Sequence, residues 1–301
     1  MKHQSVLLSA IADYLQVKKN AWYLDATFGA GGHSREIIRL GGRVLAFEYD
    51  NESYQQALIT FQQEISEQKL LLLHENFANL DKLLANQPNL PQRFAGIIFD
   101  LGTSSDQLTA GSKGLSVYQT GPLDMRLAAN LAVSARDLLH GLSEKELSTL
   151  LYKLGGESYH RQIAKKIKMT IKKVGRGAFA NAQELSNLIV DIKPRAKQHL
   201  HPATKTFQAL RIAVNGELDN LEKALPQAWQ RLLPKGRLIV MSFHEGEDRI
   251  SKHFFKLQYE KGDLFNLSKK PIQSTVAEQM KNPRARSVKM RIGEKNEKNR
   301  G

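Results

Sequence analysis

A glycine-rich turn and the acids that end neighbouring apolar runs are the residues best suited to chemistry in this sequence. The run YLDATF leads into the turn GAGGHS, residues 29–34, and then into a helical pattern. Small residues let a backbone approach a ligand closely at the start of a helix. The turn alone is weak evidence, because an ordinary tight connection between a strand and a helix has the same composition.

Two acids, Glu48 and Asp50, end the next apolar run, where an acid accepts hydrogen bonds from ribose hydroxyls in nucleotide-type sites. Ser34 stands where a dinucleotide-binding turn has its third glycine, and no phosphate-binding lysine follows the turn. This pattern favours S-adenosylmethionine, which carries a ribose but no pyrophosphate, over NAD. We expect Glu48 to hold the ribose, because it lies nearer the last apolar residue, and Asp50 to start a helix. The ring of Phe77, at the end of the third run, could lie against adenine or in the core.

The apolar run AGIIFD ends in Asp100, and the segment LGTSSDQ that follows it ends in Gln107. Ligands of open α/β sheets bind at the carboxyl edge of the sheet, where this carboxylate is predicted to lie. Methyl transfer from a sulfonium needs an in-line nucleophile and a pocket that excludes water. A carboxylate that accepts hydrogen bonds from an exocyclic amine would direct its nitrogen towards the methyl group. Asp100 is therefore the candidate catalytic residue, and a helix cap or a tied loop is its alternative role.

The composition limits both the chemistry and the partner. The chain has no cysteine, which excludes a disulfide framework, a thiolate zinc site and a cysteine nucleophile for pyrimidine chemistry. The net charge is +14, and residues 160–211 hold twelve Lys or Arg against two acids, while residues 269–300 hold ten against three. Such clusters favour a nucleic acid partner, because each phosphate contact releases counterions. A solvated basic surface is the alternative.

A βαβ rhythm positions the candidate residues. Apolar runs predict strands at residues 21–28, 43–50, 70–77 and 94–102, with helical patterns between them. The strand pattern then stops, and helical segments follow. It resumes with an amphipathic stretch over residues 206–233, a strand at 236–243 and a helix that starts near Glu247, while the basic run SVKMRI could pair as an edge strand.

These patterns predict an α/β protein whose sheet is interrupted by a helical insertion. We expect residues 1–104 and 206–301 to form the two parts of the sheet domain, the second with a basic tail, and residues 105–205 to form the inserted helical domain. No apolar run approaches the roughly 20 residues that span a bilayer, and no secretion signal is visible. We therefore expect a cytoplasmic protein.

Further polar segments are candidates for metal, substrate or RNA contact. His199 and His201 have no acidic or cysteine partner at a ligand spacing, so we expect no metal there and assign them to structure or RNA contact. The segment HEGED, residues 244–248, could touch substrate, although a solvated helix start is the plainer interpretation. The helical insertion and three arginines of the tail are the candidate RNA backbone contacts: Arg284, Arg286 and Arg291.

Several stretches taken together resemble one family, the ribosomal RNA cytosine-N4 methyltransferases called RsmH or MraW. The matching blocks are HQSVLL, DATFGAGGHS, DLGTSSDQL, GPLDMR, HPATKTFQALRIAVNGEL, GRLIVMSFHEGEDR and NPRARSVKMR. They extend from the N-terminus to near Arg291. Their order and spacing together make the resemblance specific.

The resemblance implies a class I (Rossmann-like) methyltransferase sheet with an inserted helical domain for substrate RNA. It implies N4-methylation of a specific cytidine in the decoding region of small-subunit (16S) ribosomal RNA, with S-adenosyl-L-methionine as cofactor and the rRNA or the small ribosomal subunit as partner. The oligomeric state stays open, a dimer included. The matching positions imply seven cofactor contacts: Gly31, Gly32, His33, Glu48, Phe77, Asp100 and Gln107.

The sequence departs from the family pattern in three places. Glu48 replaces the usual Asp, so the hydrogen-bond geometry at the ribose must adjust. FHEGEDR stands where the family has an FHSLEDR-like block, and TAGSKGLSV stands where it has an acidic turn and an RGFSF-like run. Substrate roles in these two loops are therefore not carried over from the family.

Two other functions stay open at this point. One is a methyltransferase that acts on another RNA or another atom, which mapping of the methyl group would distinguish. A DNA amino-methyltransferase is less favoured, because DLGTSS stands where those enzymes have Asn/Asp-Pro-Pro-aromatic. The other is a catalytically silent RNA-binding or ribosome-assembly factor, which failure to bind S-adenosylmethionine would support, since a Rossmann-like sheet alone does not define a function.

Overall fold

The computed structural model describes residues 6–102, 113–193 and 201–297. The chain divides into two units, a sheet unit formed by Met1–Ser104 with Leu218–Gly301 and a helical unit formed by Ser105–Glu217. The helical unit extends beyond the expected boundary at residue 205. The reason is that the helix Thr204–Asn215 packs against the helix Glu144–Gly155 inside this unit.

A seven-stranded sheet organises the sheet unit, in the order β3-β2-β1-β4-β5-β7-β6. Strands β1 to β5 pair in parallel, and β7 pairs antiparallel with both β5 and β6. The strands are β1 (Trp22–Asp25), β2 (Arg43–Glu48), β3 (Leu70–His74), β4 (Phe94–Asp100), β5 (Leu232–Ser242), β6 (Leu264–Asn266) and β7 (Lys289–Lys295).

Helices connect the strands and build the insertion. In the N-terminal part they are α1 (Leu8–Leu15), α2 (Gly32–Arg39), α3 (Asn51–Thr60), α4 (Gln62–Ser66) and α5 (Leu80–Asn86). The insertion contains α6 (Ala135–Gly141), α7 (Glu144–Gly155), α8 (His160–Val174), α9 (Ala182–Ile192) and α10 (Thr204–Asn215). The C-terminal part contains α11 (Glu217–Arg231), α12 (Glu245–Glu260) and α13 (Val276–Lys281). None of these helices in the described ranges has the length and hydropathy that crossing a bilayer requires.

Both faces of the sheet are buried, which explains why its strands read as continuous apolar runs. On one face, residues such as Leu24 and Ile97 pack against α5, α11 and α12. On the other face, Val44 and Ile98 pack with residues of α1, α2 and α3. The helical unit has a core of its own, to which α7, α8, α9 and α10 contribute.

Several predicted elements differ from the observed ones. The predicted edge strand SVKMRI falls on β7, which lies inside the sheet, whereas β6, which was not predicted, forms the edge. Alternation of side chains shows a strand but not its neighbours. The predicted stretch 206–233 is two helices, because Gly216 adopts a left-handed conformation (φ 61°) that ends α10. The first four strands end two to three residues earlier than predicted. The residues that follow them form the loops that carry the candidate site.

Candidate cofactor and catalytic site

The glycine turn between β1 and α2 is shaped by packing behind it and open space in front of it. Gly31 caps α2 with a left-handed backbone (φ 73°). A Cβ atom at this position would overlap the ring of Phe61 and lie 2.5 Å from the ring of Phe28. Gly29 is also left-handed (φ 54°), but a Cβ there would meet no atom within 4 Å. Gly31 is therefore required by the fold, and Gly29 leaves the backbone accessible to a ligand.

Glu48, the last residue of β2, ties the turn to the neighbouring strand. Its Oε2 accepts a hydrogen bond from the Gly29 N–H at 2.8 Å, and its Oε1 accepts one from the Asp50 N–H at 2.8 Å. Burial raises the pKa of Glu48 to about 7, although these two hydrogen bonds oppose the shift. Each carboxylate oxygen has a second lone pair that a ribose hydroxyl could use. Asp50 accepts from the Ser53 N–H and caps α3, which confirms its predicted role as a helix-start acid.

Beneath the turn lies Asp25, to which the sequence analysis assigned no role. This fully buried carboxylate accepts hydrogen bonds from the Ser34 hydroxyl at 2.7 Å and the Thr27 N–H at 3.2 Å. Burial raises the pKa of Asp25, and the positive charge of His33 and the two hydrogen bonds oppose that shift. Ser34, which stands in place of the third glycine, thus anchors α2 to β1. The available signal was an acid inside an otherwise apolar strand.

His33 and Asp100 form a pair at the carboxyl end of β4. The His33 Nε2 lies 3.2 Å from the Asp100 Oδ2, and the Asp100 N–H donates to the Thr27 hydroxyl oxygen at 2.6 Å. Burial alone would lower the pKa of His33, but the hydrogen bond to Asp100 and the carboxylates of Asp100 and Asp25 raise it above its ordinary value. Among the described residues, the side chain of Asp100 is thus paired with a histidine.

Two buried polar atoms of this pair are unsatisfied. Within the described part of the chain, the Asp100 Oδ1 and the His33 Nδ1 have no hydrogen-bond partner. Buried polar groups in proteins are nearly always paired, so these exceptions call for an explanation such as a ligand. Asp100 is thus a carboxylate held on one oxygen by a histidine, with its second oxygen buried and unpaired among the described residues.

Phe77 lies beyond β3 and not at its end as predicted. It begins a short 3₁₀ turn, Phe77–Asn79, which Asn76 caps through a hydrogen bond from the Ala78 N–H. The Phe77 ring meets the ring of Phe99 edge-on at 5.6 Å and packs partly against the core. Because the ring is only half-buried, it keeps a surface that an adenine could contact.

The structure brings together five of the seven predicted cofactor residues at the ends of adjacent strands. Gly31, Gly32 and His33 begin α2, Glu48 ends β2 and Asp100 ends β4. Phe77 follows the strand next to β2. Gln107, the seventh, lies outside the described residues.

Residues 244–248 form the start of α12. This helix start is held by internal contacts and is not solvated, contrary to the plainer interpretation of the sequence. The His244 Nδ1 accepts from the Gly246 N–H, and the Glu247 side chain, 3% exposed, accepts from the Phe243 N–H at 2.7 Å. Asp248 forms ion pairs with Lys289 and Arg291 of β7. These contacts join the helix start to the sheet, so the expectation that Arg291 is available for RNA backbone contact is not supported.

The residues present fit S-adenosylmethionine better than a dinucleotide. Glu48 offers acceptors for a ribose, the main chain at Gly29 is open, and Asp100 places a carboxylate at the carboxyl end of β4. The described turn has no side chain suited to a pyrophosphate. The sheet is parallel except for β7, which is antiparallel and lies between β5 and β6. This topology and these residues define a class I S-adenosylmethionine-dependent methyltransferase.

Whole-chain comparisons make that class specific. The MraW methylase family model matches residues 1–296, and the chain belongs to this family. A "Ribosomal RNA small subunit methyltransferase H" from Synechocystis sp. is 39% identical over 97% of this chain and 93% of that protein. A relative of the same name from Koribacter versatilis is 38% identical over 96% of this chain and 92% of its own length. These findings confirm the predicted family, the methyltransferase activity and the cofactor.

Among solved structures, a putative rRNA methylase from Clostridium thermocellum aligns with 98% of this chain and 100% of its own. Its sequence identity is 12% and its TM-score 0.46. The family assignment rests on the sequence relatives and not on this alignment.

Proposed function

We propose that this protein transfers a methyl group from S-adenosylmethionine to the N4 amine of a specific cytidine in the decoding region of 16S ribosomal RNA. The observation that carries the proposal is the Asp100 carboxylate at the end of β4, with one oxygen held by His33 and the other unpaired among the described residues. The names of the relatives support a small-subunit rRNA substrate.

The proposed role of Asp100 is to bind and orient the substrate amine, and the reaction involves no covalent intermediate with the protein. The bound cofactor supplies an electrophilic methyl group on a sulfonium. The lone pair of an exocyclic cytosine amine is delocalised into the ring, so the nitrogen is a weak nucleophile. A hydrogen bond from an amine N–H to the unpaired Asp100 oxygen would orient the nitrogen and stabilise the positive charge that develops on it during transfer. Transfer would form the N–CH₃ bond as the S–CH₃ bond of the sulfonium breaks, leaving a neutral thioether, and the N–H proton that the nitrogen then loses would pass to the same carboxylate.

His33 acts through Asp100. Its ring is 4% exposed and its Nε2 meets the Asp100 Oδ2, which leaves the Oδ1 as the acceptor that the substrate can use. The raised pKa of His33 favours a protonated ring that donates to the carboxylate. We therefore regard His33 as a positioning residue for Asp100 as well as a neighbour of the cofactor.

The proposed cofactor contacts are those predicted from the sequence. Glu48 accepts hydrogen bonds from the ribose hydroxyls, and Phe77 offers the exposed part of its ring to the adenine. The turn at Gly31, Gly32 and His33 provides the start of α2 for the methionine part. Gln107 remains a proposed contact on the family resemblance alone. The helical insertion is proposed to bind the RNA substrate.

The test is transfer of labelled methyl from S-adenosylmethionine to small-subunit particles that lack the modification, with mass spectrometry of the released nucleosides. We expect N4-methylcytidine with the wild type and with Asp13→Asn, a control at an exposed acid of α1. Asp100→Asn should yield little or none. A methyl group on another nucleoside would contradict the N4 assignment, and failure to bind the cofactor would contradict the methyltransferase function itself.

A further inference from the structure

The solvent face of α8 carries a cluster of cations. The helix contains six Lys or Arg and no Asp or Glu. Ile163, Ala164 and Ile167 are buried on its other side. Because consecutive helical residues are turned by about 100°, the cations fall into two neighbouring rows on the outer side. Five of them are exposed and are called here the α8 face: Arg161, Lys165, Lys166, Lys172 and Lys173.

Other basic residues of the same unit have internal partners. The Lys168 Nζ, also on α8, donates to the carbonyl oxygens of Leu139 and His140 at the end of α6, at 2.6 and 3.2 Å. Lys193 is buried and paired with the fully buried Glu157 at 3.0 Å. Lys205 donates to the Gly156 carbonyl oxygen. The structure therefore separates cations that hold the unit together from those of the α8 face, which form no ion pair with any acid in the described ranges.

The folding of the unit does not explain the α8 face. Like charges one helical turn apart, such as Arg161 and Lys165, destabilise a helix by a few tenths of a kcal/mol per pair. Lys172 and Lys173 lie in the last turn, where the helix dipole favours them, but Arg161 lies in the first turn, where the dipole disfavours a cation. Solubility would be served by mixed charges at lower cost. A partner with many negative charges would remove the repulsion.

We infer that the α8 face binds the phosphate backbone of the RNA substrate, an inference that rests on the proposed function. Phosphates would neutralise both rows and release counterions. An exposed aromatic side chain lies at the start of the α8 face. The ring of Tyr152, a residue that is 60% exposed, is 5.0 Å from the ring of His160, the first residue of α8. Exposed aromatic rings beside cationic tracks stack the bases of unpaired RNA. The partner is thus a segment of RNA with single-stranded character.

The test compares two triple variants that lose the same charge. One removes three cations of the α8 face: Arg161→Gln, Lys165→Gln and Lys166→Gln. The control removes three exposed lysines of α5, α11 and α12: Lys82→Gln, Lys223→Gln and Lys252→Gln. The dissociation constant for an unmodified 16S rRNA transcript is measured over a range of salt concentrations, without cofactor. Thermal unfolding confirms that both variants are folded.

We expect the α8 variant to lose about two units of the slope of log Kd against log salt concentration, at about 0.7 to 0.9 per phosphate contact. Its affinity at about 0.1 M salt should fall more than tenfold on the same basis. The control should retain its slope within about one unit. Equal losses in the two variants would overturn the inference, because net charge alone would then explain the binding.

Methylation assays separate this inference from the proposed function. If the wild type methylates small-subunit particles, the α8 variant should have a higher KM with an unchanged kcat. Methylation by the wild type together with equal KM values for the α8 variant and the control would overturn the α8 face and leave the proposed function intact. A wild type that transfers no methyl, but whose RNA affinity depends on the α8 face, would support the surface and contradict the proposed function.

Discussion

The charged residues at the strand ends and those on α8 are arranged in opposite ways. In the sheet unit, Asp25, Glu48 and His33 are buried. Asp25 accepts a hydrogen bond from the Ser34 hydroxyl, Glu48 accepts one from the Gly29 N–H, and His33 is paired with Asp100. On α8, five cations are exposed and have no acidic partner among the described residues. The first arrangement has a fixed geometry that suits one small ligand. The second has little geometry but much charge, which suits a long polyanion.

The contrast shows what charge is used for in each region. A buried carboxylate has a shifted pKa and an orientation that its neighbours determine, so a single substitution should change binding or catalysis strongly. An exposed lysine contributes one contact among several, so its loss should change mainly the salt dependence of binding. The predictions that follow test this difference, beginning with the largest expected effect.

Asp100→Asn should break the site most severely. The substitution keeps the shape of the side chain and removes the charge that accepts the amine proton. We expect the single-turnover rate of methyl transfer to fall by about 100- to 1000-fold, as for loss of one well-placed hydrogen-bonding group, with a much smaller change in cofactor affinity. A rate close to that of the wild type would show that Asp100 has only a structural role.

The sequence identified candidate residues of this site better than it predicted the contacts between them. Gly31, Glu48 and Asp100 were identified because a local pattern, a turn or the end of an apolar run, marks each of them. The contact between His33 and Asp100 could not be predicted, because it joins the start of α2, which follows β1, to the end of β4, and only the sheet order shows that β1 and β4 are neighbours. Asp25 was missed although its partners, Thr27 and Ser34, lie close to it in the sequence.

In the helical unit the sequence showed the excess of positive charge but not its use. Lys168 and Lys172 look equivalent in the sequence, one turn apart on the same helix. Only packing shows that Lys168 binds the carbonyl groups of α6 while Lys172 is exposed. The break at Gly216 had a local signal, a glycine that ends a helix, which the continuous apolar periodicity obscured. The short strand β6 depends on its pairing with β7.

Gly31→Ala should destabilise the sheet unit. A left-handed alanine costs about 1–2 kcal/mol, and overpacking against Phe28 and Phe61 adds about 1–3 kcal/mol. We expect the free energy of unfolding, measured in urea, to fall by about 2–5 kcal/mol. Gly29→Ala, whose new methyl group meets nothing within 4 Å, should lose only the backbone part. Equal losses would mean that packing behind the turn is unimportant.

Cofactor affinity should depend on the pH through Glu48. Its pKa of about 7 means that the carboxyl group is largely protonated at pH 6 and ionised at pH 8. The ionised form accepts ribose hydroxyls and attracts a cationic ligand, so binding lowers this pKa and releases a proton. We expect the affinity for S-adenosylmethionine, measured by calorimetry, to rise about tenfold from pH 6 to pH 8.

Glu48→Gln provides the control for this pH dependence. It should bind the cofactor weakly at every pH, with a flat profile in place of the rise. A profile that kept the wild-type slope would assign the titration to another group, such as His33. An affinity that fell with increasing pH would contradict the proposed role of Glu48.

The smallest expected effects are those of Lys168→Met and Lys172→Met, which compare an internally bonded lysine with an exposed one. Loss of the Lys168 ammonium removes hydrogen bonds to two carbonyls, so we expect the free energy of unfolding to fall by about 1 kcal/mol. The Lys172 variant should unfold like the wild type, and only its RNA affinity should depend less on salt. If Lys168→Met reduced the salt slope as much as Lys172→Met, the division between internal and exposed cations would be wrong.

The most direct test of the account measures two affinities on two variants. S-adenosylmethionine binding and the salt dependence of RNA binding, each without the other ligand, are determined for Glu48→Gln and for the triple variant at Arg161, Lys165 and Lys166. We predict that Glu48→Gln weakens cofactor binding and leaves the RNA salt slope unchanged, and that the triple variant does the reverse. A triple variant that bound the cofactor as poorly as Glu48→Gln, or a Glu48→Gln protein with a reduced RNA slope, would contradict the assignment of the two ligands to these two groups of charges.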